Sequence, residues 1–334
     1  MKYFFLLILL FFSSQSFSGT YKTGSDITDE INADIENLEH NGKIFLPEGD
    51  FYIDVSKSIK FKSNMSLIMQ PKTKIYVKKN GLQSYKVFSV NNLNNVNIIG
   101  GQVIGDNDNH LKSDGEWGMG VDIRNSKNIY ISDINISKMW GDGIYIDEDS
   151  KNVKRNKNIK LNNINLNENR RQGITIISGN KIFLENIIIS NTKGVLPSAG
   201  VDIEPNDKNN ILKNIYIKNI TTLNNGGAGI QIGLQKLDNR KNKISIKVLK
   251  HKDYSSKQGL LISPFTNSNS GFIYVEKSEY LRSVENSLCI LGVKKNNIVM
   301  NINKPLFFSG GKENYFCRNS YMDNKIKIHY PVFN

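Results

Sequence analysis

Five short phrases of one pattern constrain this chain more than anything else in it. Glycine, aliphatic, any residue, isoleucine recurs at Gly120-Val121-Asp122-Ile123, Gly143-Ile144-Tyr145-Ile146, Gly173-Ile174-Thr175-Ile176, Gly200-Val201-Asp202-Ile203 and Gly229-Ile230-Gln231-Ile232. The leading glycines lie 23, 30, 27 and 29 positions apart, a period that belongs to stacked repeat arrays. A second β-branched phrase follows at 128–131, 158–161, 181–184 and 214–217, and a third at 133–136, 163–166, 186–189 and 219–222. Three short strands per period, with no helical spacing between them, describe one coil of an all-β parallel β-helix. Each strand then pairs with its copy one coil on, about 4.8 Å away. Alternation sends Val201 and Ile203 into the interior and Asp202 and Glu204 out to solvent. The asparagines that open the later phrases suit corners with positive φ, where their amides bond turn backbone or stack as a ladder. The rule for parallel crossovers makes the coil right-handed.

An open-ended solenoid needs a plug, because its terminal coil exposes both its interior and a row of unpaired backbone groups. Ile27, Ile31, Ile35 and Leu38 recur at helical spacing, with Ser25, Asp26 and Thr28 as candidate caps and Asp29 and Glu30 at the positive end, so residues 25–38 are read as a capping helix. One β-helix domain spans 19–334, with regular coils over about 42–234 and irregular C-terminal coils or a cap over 235–334. Residues 1–18 read as a signal peptide: Lys2, an apolar run over 3–12 too short to cross a bilayer, then Ser16 and Ser18 at a cleavage site. A secreted or periplasmic protein without a membrane span is expected. Cys289 and Cys317 form either one disulfide or two buried thiols.

The formal net charge is +13, which favours polyanionic partners. Lys236 to Lys257 is strongly basic, either a solvated face or a landing strip for an acidic polymer. Nucleic acid is not the expected partner, since no recognised binding motif is present. His40, His110, His251 and His329 are scattered, which argues against a zinc cluster.

The stretch Gly42-Lys43-Ile44-Phe45-Leu46-Pro47-Glu48-Gly49-Asp50-Phe51, entered from the capping helix, resembles the opening strand of the pectate lyase superfamily. With the repeat phrases, the likeness runs from about residue 25 to about residue 234. It implies a right-handed parallel β-helix of the polysaccharide-active or tailspike-like kind, on a fold that hosts lyases, hydrolases and epimerases. It also implies that an arginine or lysine serves as base beside a uronate. The histidine motif of alginate epimerases and the paired-aspartate and histidine-glycine motifs of polygalacturonases are absent.

Stacked coils create an outward column of Asp122, Tyr145, Thr175, Asp202 and Gln231, with Arg124, Asp147, Ile177 and Glu204 beside it and Trp140, Asp142, Arg170, Arg171 and Gln172 at the preceding corner. Asp202, Glu204, Arg170, Arg171 and Tyr145 are the candidate catalytic residues. Trp140, Asp142, Asp122, Asp147, Gln172, Thr175, Gln231 and Trp117 are candidate substrate contacts, the tryptophans as flat platforms for sugar rings. The expected activity is lyase-like cleavage or modification of an acidic, uronate-containing polysaccharide, with Arg170, Arg171 or Tyr145 as base and acid. Two alternatives stand beside it: a glycoside hydrolase using Asp202 and Glu204, two residues apart on one strand face, and a non-catalytic glycan-binding or adhesin-like solenoid. Either no cofactor is needed, or Asp147, Asp202 and Glu204 share one Ca²⁺.

Overall fold

A computed structural model describes residues 16–17, 20–148, 155–237, 243–263, 269–291, 297–308, 316–317 and 326–333. The expected leader lies outside these residues except for Ser16–Phe17, which pair in parallel with Lys43 and Ile44. Among the described residues, two parallel sheets build the molecule. The shorter strands form a nine-stranded sheet in chain order: β1 (Ile59–Lys60), β2 (Ser84–Asn91), β3 (Trp117–Arg124), β4 (Ile144–Asp147), β5 (Ile174–Ile176), β6 (Val201–Ile203), β7 (Ala228–Gly233), β8 (Gln258–Ser263) and β9 (Asn286–Ile290). A 19-stranded sheet supplies the other faces of each coil.

The repeat phrase has a steric cause at its first position. A Cβ at Gly120, Gly143, Gly173 or Gly200 would stand 2.5–2.8 Å from the carbonyl oxygen of the next coil's glycine. Only glycine lets the coils approach this closely. The second and fourth positions fill the interior: Val121, Ile144, Ile174, Val201 and Ile230 are in register and buried. At the corners, Asn128, Asn158, Asn163, Asn186, Asn214 and Asn219 all have φ between 53° and 58°, the left-handed region that asparagine tolerates. Their amides stack as expected: Nδ2 of Asn128 donates to Asn95, of Asn158 to Asn128 and of Asn219 to Asn186, at 2.7–2.9 Å.

The second and third phrases, expected as separate strands, are joined in Lys157–Asn167, Gly179–Ser190 and Leu212–Leu223. A single left-handed residue turns the chain between them without breaking the ladder. Among the described residues beyond 234, strands go on pairing in register. Ile244–Tyr254, Ser270–Glu276, Asn297–Asn303 and Ile326–His329 continue the long sheet in register. Much of the basic run is therefore an ordinary outward face: Lys243, Lys247 and Lys250 are exposed while Ile244, Ile246 and Val248 are buried. Arg240 and Lys241 of that run lie outside the described residues.

The helix α1 (Thr28–Asn37) is shorter than expected and plugs the first coil beside β1, with Ile27, Ile31 and Ile35 buried. None of the candidate caps holds the N-cap position, which is Ile27 and has no side-chain cap; Asp26, one residue earlier, accepts the Thr28 backbone N–H at Oδ1, 3.0 Å. At the other end Cys289 in β9 is bridged to Cys317 with Cα atoms 5.1 Å apart, and Phe307 stacks on Tyr280 and meets Phe316 edge-on.

Candidate active site

Register places the expected column on the short sheet. Asp122 lies opposite Tyr145, Tyr145 opposite Thr175, Thr175 opposite Asp202, and Asp202 opposite Gln231. Their exposure differs from expectation. Asp122, Thr175 and Asp202, although outside the apolar interior, are buried, and so are Asp142 and Gln172 at the corners. Glu204 and Gln231 remain partly exposed. Asp202 is covered because Gln172 lies against it, donating from Nε2 to Oδ2 at 3.0 Å while its own Oε1 accepts the Ala199 N–H at 2.8 Å. Gln172 thus positions Asp202 and has no free edge for a substrate.

Two linked carboxyl clusters result. In the first, Asp142 accepts the Thr175 hydroxyl at 2.6 Å and Arg171 Nη1 at 3.1 Å. Burial raises the Asp142 carboxyl to about 6, against the pull of Arg171 and Thr175. In the second, burial lifts Asp202 well above the ordinary carboxylate range, and the neighbouring Glu204 and Asp142 carboxylates lift it further. Its Oδ1 is buried and meets no hydrogen-bond partner among the described residues. Burial and the nearby carboxylates therefore favour the protonated form of Asp202 beside the half-buried Glu204.

A third acid cluster occupies β2 to β4. Asp122 takes Arg124 Nε at 3.0 Å and Lys86 Nζ at 3.1 Å, and Arg124 Nη1 reaches Asp147 at 2.9 Å. The Arg124 guanidinium lies 5.0 Å from the Tyr145 ring centroid, and the Tyr145 hydroxyl donates to Asp147 at 3.2 Å. Burial, with Asp147 adding to it, pushes the Tyr145 phenol up. Asp147 is turned to this side, so the expected Ca²⁺ triad of Asp147, Asp202 and Glu204 does not converge. Among the described residues no group of three or more His, Cys, Asp or Glu is placed to hold a metal ion.

A polar insertion over residues 106–118, which runs into β3, packs as a wall. Trp140, expected as a sugar platform, is buried, its ring stacked on His110 with centroids 3.9 Å apart and on the Arg170 guanidinium at 3.6 Å. Arg170 also donates to the Gly115 carbonyl at 2.9 Å and the Trp140 carbonyl at 3.3 Å, so it staples the insertion to the coil. Behind them, Asp106 accepts from Tyr85 at 2.5 Å and Asn80 at 2.8 Å and contacts His110 Nδ1 at 2.8 Å. Trp117, by contrast, is 46% exposed and keeps a ring open to a ligand. Arg171, next in sequence to Arg170, points into the groove toward Asp142 and Glu116.

Two groove residues were not legible as site residues. Lys86 sits in β2, whose phrase lacks the leading glycine, so the repeat does not flag it. Glu116 belongs to the insertion and reaches Arg171 Nε at 3.7 Å only because that loop folds back.

No protein-family model matches the chain. It is 26% identical over 206 residues to the uncharacterized protein YclG of Bacillus subtilis, and 35% identical over 119 residues to the SPbeta prophage-derived uncharacterized protein YorA of the same organism. These matches cover 54% and 30% of this chain, but only 35% and 20% of the two relatives' lengths. Among solved structures it is similar to the tailspike gp49 of Acinetobacter baumannii bacteriophage Fri1, a capsular polysaccharide depolymerase, with TM-score 0.63 and 12% identity over 96% of this chain and 57% of that one. It is also similar to the A-module of the Azotobacter vinelandii mannuronan C-5 epimerase AlgE4 (TM-score 0.61, 12% identity, 92% and 91% covered) and to the Erwinia carotovora polygalacturonase (TM-score 0.60, 13% identity, 96% and 93% covered). The chain therefore has the right-handed β-helix fold seen in these polysaccharide-active proteins.

Proposed function

We propose that the protein cleaves glycosidic bonds of an acidic polysaccharide at the groove over β3 to β7, by acid–base hydrolysis centred on Glu204 and Asp202. The buried Asp202 carboxyl, its Oδ1 without a partner among the described residues and the partly exposed Glu204 two residues along the chain, is the observation that carries the reading. Hydrolysis needs a proton for the leaving oxygen and an activated water. Glu204 faces the groove and Asp202 keeps the proton beneath it. The pair hands that proton to the leaving oxygen as the C–O bond breaks. It recovers one from the water that adds to the anomeric carbon, so atoms and charge balance. Arg171, Lys86 and Arg124 supply positive charge along the groove for uronate or other acidic sugars. The solved structures similar in fold include a capsular polysaccharide depolymerase and a polygalacturonase by name, which fits this substrate class.

The lyase-like alternative loses support from the state of its three candidate bases. Arg170 is committed to Trp140 and to backbone carbonyls. Burial works against charge on Arg171, yet Asp142 and Glu116 outweigh it and raise its pKa. Tyr145 is likewise held protonated. Incubation with polygalacturonate, alginate and capsular polysaccharides separates the readings: reducing ends without unsaturated product are expected. Glu204→Gln should lower the rate about 100-fold or more, with binding retained. Unsaturated product, or an unimpaired Glu204→Gln variant, would remove the assignment, and retention without any product would leave a binding protein. Export is proposed with it, on the leader-like segment and the Cys289–Cys317 bridge.

A further inference from the structure

The long sheet carries an outward column of different character. Tyr130, Lys160, Phe183, Tyr216, Lys247 and Tyr274 stand opposite one another in successive coils. The column contains no acid, in contrast to Asp122 and Asp202 on the short sheet. Lys160 and Lys247 are exposed, as is Lys181 beside them, and none of the three has a carboxylate partner among the described residues. Lysines nearby that do have one form ordinary pairs, such as Lys218 with Glu185 at 2.5 Å. Phe183 and Tyr216 have ring centroids 6.3 Å apart, and Phe272, 37% exposed, lies 6.0 Å from Lys247 Nζ. Together with Lys181 they line a shallow recess of about 320 Å³.

We infer that this face is a second, non-catalytic binding surface for a polyuronate chain lying along the solenoid axis. Aromatic faces take the flat C–H faces of sugar rings, and unpaired lysines take their carboxylates. Coils repeat every 4.8 Å or so, about the length of one sugar ring, so an extended polymer meets an aromatic or a cation at each step. The inference borrows from the proposed function only the class of polymer, and it places binding on a different sheet from cleavage.

Affinity electrophoresis of the full chain in gels containing polygalacturonate, alginate or neutral dextran tests it, with a single-stranded DNA oligonucleotide as a competing polyanion. The protein should be retarded by a polyuronate and not by dextran, less so in added salt. Tyr216→Ala combined with Lys247→Glu should weaken retardation roughly tenfold while melting at the unaltered temperature, and Glu204→Gln should leave it intact. Absence of retardation by both polyuronates, preference for the oligonucleotide, or equal retardation of the folded double variant would overturn the inference. Loss of retardation in the double variant, with no polymer cleaved, keeps this surface and removes the groove assignment. Cleavage with retardation unchanged does the reverse.

Discussion

One threonine shows how single side chains set protonation inside this solenoid. The Thr222 hydroxyl lies 2.6 Å from Asp253 Oδ1 and 2.8 Å from His251 Nε2, all buried. It has one proton to give. Thr222 donates it to Asp253 Oδ1, and burial raises Asp253 to about 7 and lowers His251 to about 3, each toward its neutral form. The signs for stability are opposite. Asp253 binds its proton more tightly folded than unfolded, so its contribution is lost as pH rises from 3.8 toward about 7. His251 binds its proton less tightly folded, so its contribution is lost as pH falls from 6.5 toward about 3. Melting temperature should therefore decline on both sides of mildly acidic pH. Asp253→Asn should flatten the decline toward neutral pH, as thermal melts across that range will show; an unchanged slope would mean the carboxyl is already ionised in the fold. Neither shift was legible in the sequence, where His251 reads as one more residue of a basic run.

Among the elements, the glycine-led strands and the insertion make different demands. Gly173→Ala would set a Cβ 2.3 Å from Ile189 Cγ2 and 2.5 Å from the Gly200 carbonyl, an overpacking expected to cost about 1–3 kcal/mol in denaturant unfolding. A variant as stable as the parent would show that the coils part without strain. Arg170→Ala removes the staple between the insertion and the coil, and should speed backbone hydrogen exchange over residues 106–118 while exchange in β6 and β7 stays slow. The glycine strands could be read in advance because their spacing repeats. How the insertion packs could not, because contacts such as that of Arg170 with Gly115 join residues 55 positions apart.

Across the whole molecule, a ladder in which each coil touches only its neighbours depends on its ends. At one end α1 covers the interior; at the other the Cys289–Cys317 bridge closes a sequence separation of 28, worth on the order of 3 kcal/mol by loop entropy. Cys289→Ser, or reduction of the parent, should lower the melting temperature and expose the coils beyond β8 to protease first; an unaffected melt would show the terminal coils hold without it. The course of the chain was written in its repeats, because interior alternation, glycine contacts and asparagine corners are local and recur in every coil. The column of Asp122, Tyr145, Thr175, Asp202 and Gln231 followed from register alone. Which of those side chains meet solvent, which arginine staples a loop and which faces the groove, and that Asp202 is buried while Glu204 stays partly exposed, depended on loops folding over the sheet. Burial and the charges that surround a carboxyl are properties of the assembled coil, and no one repeat contains them.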